Sequence, residues 1–129
     1  MNRYQWLDAY LMEKPGVEKD YKAEWAWLRY RVGKRLFAAV CCPDERYGAH
    51  AGREMVILKC EPALAELLRA KYADVVPGFY SDKRHWNSVY LDGAVPDEIL
   101  RGMCDQSYRL LWEKLTKRLQ REILAKASR

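Results

Sequence analysis

Between Glu24 and Val32 the chain alternates with a period of two, and that stretch restricts the folds open to it more than any other. From Glu24 to Val32, Trp25, Trp27, Arg29 and Arg31 share one face, while Ala26, Leu28, Tyr30 and Val32 share the other. Gly33-Lys34 reads as a hairpin turn into a second strand, Arg35 to Cys42. After a polar loop from Pro43 to Arg53, a third strand from Glu54 to Cys60 sets Met55 and Ile57 on one side and Val56 and Leu58 on the other. Three such strands in succession are antiparallel, and their apolar face needs a covering layer.

Segments of helical period supply that layer. Residues 3–13 place Trp6, Leu7, Tyr10 and Leu11 on one face, with Asn2 as N-cap and Pro15-Gly16 as the stop. Pro62 opens a second helix to about Lys71, with Leu64, Leu67 and Leu68 inward. Val76-Pro77-Gly78 breaks the chain, a short extended piece follows near Phe79-Tyr80, and a strand runs from His85 to Leu91. Pro96 opens a third helix, with Asp97 and Glu98 in its first turn, where the helix dipole favours them. Its apolar stripe is Ile99, Leu100, Met103, Leu110 and Leu111. The order is helix, three strands, helix, two strands, helix. The expected fold is an α+β two-layer sandwich, an antiparallel sheet with helices on one face.

At 129 residues the chain suits a single domain over 1–116, with a basic helical extension over 117–129. In that extension Leu115, Leu119 and Ile123 recur at four-residue spacing. It is expected to continue the last helix, packing weakly or pairing with another chain. The segment from Glu113 onward carries six basic residues against two acidic, +4 of the chain's +5. The charge surplus is therefore a property of the tail. No stretch has the length of apolar residues that a membrane span needs. Arg3, Gln5 and Asp8 interrupt Met1–Leu11, so a secretory leader is not expected there and the cytoplasm is the expected compartment.

Cys41, Cys42, Cys60 and Cys104 form no C-x-x-C pair. Cys41 and Cys42 would point to opposite faces of a strand, and Cys104 suits a core position. Reduced thiols are expected, not a disulfide framework. His50, His85 and the cysteines have no zinc spacing, so no metal is expected. There is no Gly-rich phosphate loop and no local pairing of a nucleophile with a base. No cofactor and no catalytic residues are expected, and the chain reads as a non-enzyme.

The run from Gly78 to Gly93, Gly-Phe-Tyr-Ser-Asp-Lys-Arg-His-Trp-Asn-Ser-Val-Tyr-Leu-Asp-Gly, resembles the signature of the MmcQ/YjbR family of small bacterial proteins. Lys14-Pro15-Gly16, the stretch from Leu58 to Arg69, and Val95-Pro96-Asp97-Glu98 are similar to that family in the same order, over roughly residues 3–115. The resemblance implies a CyaY-like or secretion-chaperone-like α+β sandwich with a double-wing DNA-binding arrangement. The chain departs from the family in a longer loop from Cys42 to Arg53, in Ala94 where Ser is common, and in the basic tail.

Two stretches are the candidate nucleic-acid contacts: Arg29, Arg31, Lys34 and Arg35 on the hairpin, and Lys83, Arg84, His85, Trp86 and Asn87 on the loop. Cations neutralise phosphates, an aromatic ring stacks on an unpaired base, and an amide donates to phosphate or a base edge. The leading expectation is a DNA-binding protein that uses both stretches as a shared positive groove. The alternative is a protein-interaction or chaperone-like module using Trp25, Trp27, Met55 and Ile57 as an apolar face, with a homodimer through the tail. A third reading gives the tail an acidic lipid or other polyanion as partner.

Overall fold

The computed structural model describes residues 2–44, 48, 51–78 and 82–127. Its elements are α1 (Leu7–Met12), β1 (Glu18–Lys22), β2 (Trp27–Val32), β3 (Arg35–Cys41), β4 (Met55–Lys59), α2 (Pro62–Lys71), β5 (Val75–Pro77), β6 (Trp86–Tyr90), α3 (Asp97–Trp112) and α4 (Lys117–Ala127). The strands form one antiparallel sheet in the order β1-β2-β3-β4-β6-β5. The expected α+β sandwich is present, with one more strand and one more helix than the sequence pattern indicated. Among the described residues no helix is long and apolar enough to cross a membrane.

The helices share one face of the sheet. There Tyr4, Leu7, Leu11, Leu100, Met103, Cys104 and Leu111 close over Tyr30, Val32, Phe37, Ala38, Val56, Leu58 and Val89. Each fully buried large apolar side chain of this kind contributes about 1.5–3 kcal/mol relative to exposure. The opposite face has its own buried cluster: Trp27, Ala39, Cys41, Met55, Ile57 and Tyr90. The alternation read for these strands holds within β2 and β4, but residues 24–26, expected as strand, are a turn with φ 55° at Ala26, and both faces of the sheet are buried at the centre.

The turn between β2 and β3 has positive φ at both central residues, Gly33 (54°) and Lys34 (71°). This is the backbone that matches the twist of a two-residue hairpin. Two residues further on, the register shifts between Tyr30 and Arg31, so that Arg31 pairs with Leu36 and Phe37 is an extra residue on β3. Phe37 and Ala38 consequently both join the helix-side core. Phe37 meets the Tyr108 ring of α3 edge-on at 5.5 Å.

Several local expectations need correction. Asn2 does not cap α1, which starts only at Leu7; its Oδ1 accepts the Tyr4 N–H at 2.7 Å, fixing a preceding turn. On α2 it is Ala65 that is buried, whereas Leu67 is 63% exposed. The extended segment before β6 is Val75–Pro77, an edge position that tolerates the missing N–H of proline. Phe79 and Tyr80, where it was expected, lie outside the described residues.

The basic tail does not continue α3. The chain leaves helix at Glu113–Thr116, and α4 packs back on the helix-side core through Leu119 and Ile123. A Cβ at Gly33 would lie 2.8 Å from Leu119 Cδ2, and one at Gly16 (φ 78°) 2.8 Å from Ile123 Cγ2. The two glycines, one in each turn, thus make the seat of α4.

Candidate nucleic-acid interface

The cations of β2 are engaged within the sheet. Asp20 on β1 lies opposite Arg29, and Glu18 opposite Arg31. Asp20 takes a two-pronged bond from Arg29 (Nε–Oδ1 2.9 Å, Nη2–Oδ2 2.8 Å) and a third from Arg31 Nη2 at 2.7 Å. These bonds hold the Asp20 carboxyl below its ordinary pKa, with the Arg29 hydrogen bond the largest cause. Arg29 and Arg31 thus fasten an edge strand, a correction to their reading as free phosphate contacts. Lys34 and Arg35 at the turn are exposed, and neither has an ion-pair partner among the described residues.

The second stretch is a turn built on Asp82. Asp82 Oδ1 accepts the Arg84 N–H at 2.9 Å, and Oδ2 meets His85 Nδ1 at 2.5 Å. These contacts hold the Asp82 carboxyl below its usual value. The His85 carbonyl in turn accepts the Cys60 N–H at 2.7 Å, which joins the loop to the end of β4. Arg69 of α2 fixes the other side: its guanidinium donates to the Lys83 carbonyl, to the Trp86 carbonyl at 3.1 Å and to Asn87 Oδ1 at 2.6 Å. Asn87 is fully buried, and its Nδ2 reaches the Ala65 carbonyl at 3.4 Å. It is an internal strut between β6 and α2, so it meets neither phosphate nor base, a second correction. Lys83 and Arg84 are exposed, whereas His85 and Trp86 are half-buried.

Between these stretches the sheet opens. Pairing of β3 with β4 runs from Cys41–Met55 to Ala38–Leu58 and stops there. Beyond it Ser107 of α3, fully buried, takes over the backbone groups: Oγ accepts the Lys59 N–H at 2.9 Å and donates to the Phe37 carbonyl. Next to this junction is a cleft of about 360 Å³ lined by Lys59, Cys60, Glu61, Pro62, Asp82, His85, Trp86, Leu110 and Lys114. Lys59 is half-buried there. Burial lowers its ammonium pKa, and the positive charges of Lys114 and Arg35 lower it further. No carboxylate is within ion-pair distance of Lys59 among the described residues. The nearby Glu61 faces Arg109 at 3.7 Å.

Lys59 and Lys114 were not among the candidates read from the sequence, yet they stand between the two that were. Their signal was weak. Lys59 closes an apolar strand and Lys114 sits in a run of tail charges. Arg69 was equally hidden inside an ordinary amphipathic helix.

The cleft also brings Cys60 beside the Asp82–His85 pair. The Cys60 thiol is directed to Gln106 Oε1 at 3.0 Å, and burial pushes its pKa up to about 11. That is opposite to the depressed pKa of a thiolate nucleophile. Cys104 is buried as expected, and Cys41 and Cys42 differ as strand alternation requires, one buried and one exposed. Among the described residues no three His, Cys, Asp or Glu side chains gather as a metal site. His50 lies outside the described residues. Of the proposed apolar platform, Met55 and Ile57 are fully buried and Trp27 nearly so; only Trp25 is exposed.

Comparison with known proteins agrees with this architecture. An Escherichia coli K-12 protein described as uncharacterized protein YjbR is 39% identical over 100 residues, spanning 78% of this chain and 79% of that one. Bacillus subtilis YyaQ, also described as uncharacterized, is 29% identical over 108 residues, 78% of this chain and 91% of its own. The crystal structure of Deinococcus radiodurans DR2400 superposes with a TM-score of 0.74 at 28% identity, covering 91% of this chain and 84% of that one. A Pseudomonas syringae crystal structure shares the fold, with a TM-score of 0.71 at 24% identity over 86% of this chain and 99% of that one. The YjbR family profile matches residues 12–110. The chain belongs to the YjbR family.

Proposed function

We propose that this protein is a non-enzymatic binding module for nucleic acid, DNA in the first instance. The carrying observation is the succession of cations around the cleft. Lys59 and Lys114 line it, Arg35 at the hairpin turn beside Lys34 acts on Lys59, and exposed Lys83 and Arg84 adjoin His85 on the turn that forms another wall. The positive charges of Arg35 and Lys114 act on a half-buried Lys59 that has no ion-pair partner among the described residues, which is unfavourable in the free protein. A polyanion laid along them relieves it and releases its own counterions.

This reading keeps the double-wing idea but changes its residues. The hairpin contributes its turn and not the β2 arginines, and the loop contributes Lys83 and Arg84 and not Asn87. The buried state of Met55, Ile57 and Trp27 removes the support for a chaperone-like sheet face.

The test is binding of a fluorescent duplex and a single strand by anisotropy across a salt series. Log affinity should fall linearly with log salt, and Lys83→Glu/Arg84→Glu should make that slope shallower by about two. Absence of binding to either form at low salt, with the protein folded, refutes the proposal.

A further inference from the structure

We propose that the cleft between β4, α2, α3 and the Asp82–His85 turn is a pocket for a nucleoside 5′-phosphate, with its phosphate at Lys59 and its base against Trp86. It rests on the nucleic-acid reading for the class of ligand, but the two can fail separately.

The argument begins with a charge that has no partner. Lys59 is half-buried at the end of a strand, shares the cleft with Lys114, and feels the positive charges of Lys114 and Arg35. Holding an ammonium there costs desolvation and repulsion, and the protein supplies no counter-ion among the described residues. A dianionic phosphate offsets both costs. The carboxylates that line the cleft are otherwise committed: Asp82 to His85 and the Arg84 amide, Glu61 towards Arg109.

The remaining walls say what the phosphate carries. Trp86, which packs on the second cluster and also lines the cleft, gives with Pro62 and Leu110 an aromatic and apolar surface, and the volume of about 360 Å³ exceeds what a bare phosphate fills. Ring stacking of this type is worth about 1–3 kcal/mol per base. The walls do not move freely. Trp86 is held by its backbone to Arg69 and Gly78, and the Lys59 amide is fixed by Ser107.

Two sources offer this chemistry, a free mononucleotide and the 5′-phosphorylated end of a strand. The experiment is titration of ¹⁵N-labelled protein with 2′-deoxyadenosine 5′-monophosphate, with 2′-deoxyadenosine, with inorganic phosphate, and with a short single strand with and without a 5′-phosphate. The readouts are the Trp86 indole N–H and the Lys59 and Lys114 amides.

The monophosphate should shift all three signals and bind at least about tenfold more tightly than the nucleoside or phosphate alone. Tighter binding of the phosphorylated strand than of the mononucleotide assigns the pocket to strand ends; equal or weaker binding assigns it to the free nucleotide. Lys114→Glu, at an exposed position and checked as folded by circular dichroism, should weaken the monophosphate about tenfold, and Lys59→Met at least as much.

Failure of the monophosphate to move these signals at millimolar concentration overturns the pocket. So does equal binding of the unphosphorylated nucleoside, or an unchanged affinity in Lys114→Glu. If strands still bind along the outer cations in that event, the broader proposal stands; if nothing binds, both fall.

Discussion

Two buried serines on opposite faces of the sheet provide a stringent test of how the molecule is held together. Ser107 serves two backbone groups that the end of the β3–β4 ladder leaves over, the Lys59 N–H and the Phe37 carbonyl. Ser88 on β6 is equally inaccessible, but its hydroxyl finds no hydrogen-bond partner among the described residues. Ser107→Ala removes almost no volume, so its effect isolates the lost bonds. An unsatisfied buried donor or acceptor costs about 1–3 kcal/mol. The Lys59 amide is only partly buried and lies near the low end. The sum expected for Ser107→Ala is therefore about 2–3 kcal/mol, or a fall in Tm of about 8–12 °C for a domain of this size. Ser88→Ala deletes a desolvated hydroxyl that gains nothing from its site, so it should be neutral or stabilising by up to about 1 kcal/mol. Urea unfolding followed by circular dichroism measures both, with the midpoint moving at unchanged slope. If Ser107→Ala lies within about 0.5 kcal/mol of the parent, or if both serines cost the same, the bridging role assigned to Ser107 is wrong.

Other consequences can be checked in the same way. Leu119→Ala/Ile123→Ala should lower stability by about 2 kcal/mol, since both half-buried side chains leave the core side; a loss below about 0.5 kcal/mol would mean that α4 does not dock. Asp8 accepts hydrogen bonds from the Tyr30 hydroxyl (2.7 Å) and Lys19 (2.9 Å), which lower its pKa from 3.8, the Tyr30 bond most. A depressed carboxylate stabilises the fold above its unfolded pKa and loses that contribution as pH falls through the folded value. The penalty of Asp8→Asn should thus be constant from pH 7 to about 4 and shrink below it, and a pH-independent penalty in urea titrations would contradict this. Asp20→Asn leaves Arg29 and Arg31 without their carboxylate charge at an edge outside the proposed contacts, so low-salt DNA affinity and its salt slope should stay within about twofold of the parent; a clear rise would return the β2 arginines to the binding face.

The sheet's centre was legible because burial there obeys strand period. Trp27, Tyr30 and Val32, and the four residues Met55 to Leu58, occupy the faces their alternation assigns. The edges were not. Glu18–Lys22 has no apolar alternation, since an edge strand carries charge against further pairing, and only the charge match of Asp20 and Glu18 to Arg29 and Arg31 marks it. That same match is why two arginines on one face were misread as free. The tail misled in a different way. Leu115, Leu119 and Ile123 give a helical stripe, but nothing in it states that the chain breaks at Glu113–Thr116 before α4. The signature run from Gly78 to Gly93 supplies Asp82, His85 and Trp86 to the cleft, whereas Lys59 and Lys114, far apart in sequence, line it too and carry no shared motif.

The extra residue at Phe37 has a wider effect than the ring it adds to the core. It divides β3 into two halves of opposite phase. Ala38 and Val40 belong to the helix side in the ordinary way, yet Leu36 lies against the second cluster and Arg35, opposite Val32, emerges on the helix side near Lys59. A strand without that insertion would exchange the two, carrying the guanidinium away from the cleft and turning Leu36 inward. Insertion or loss of a single residue in this half-strand is thus a route by which related chains can redistribute surface charge while keeping the same sheet order.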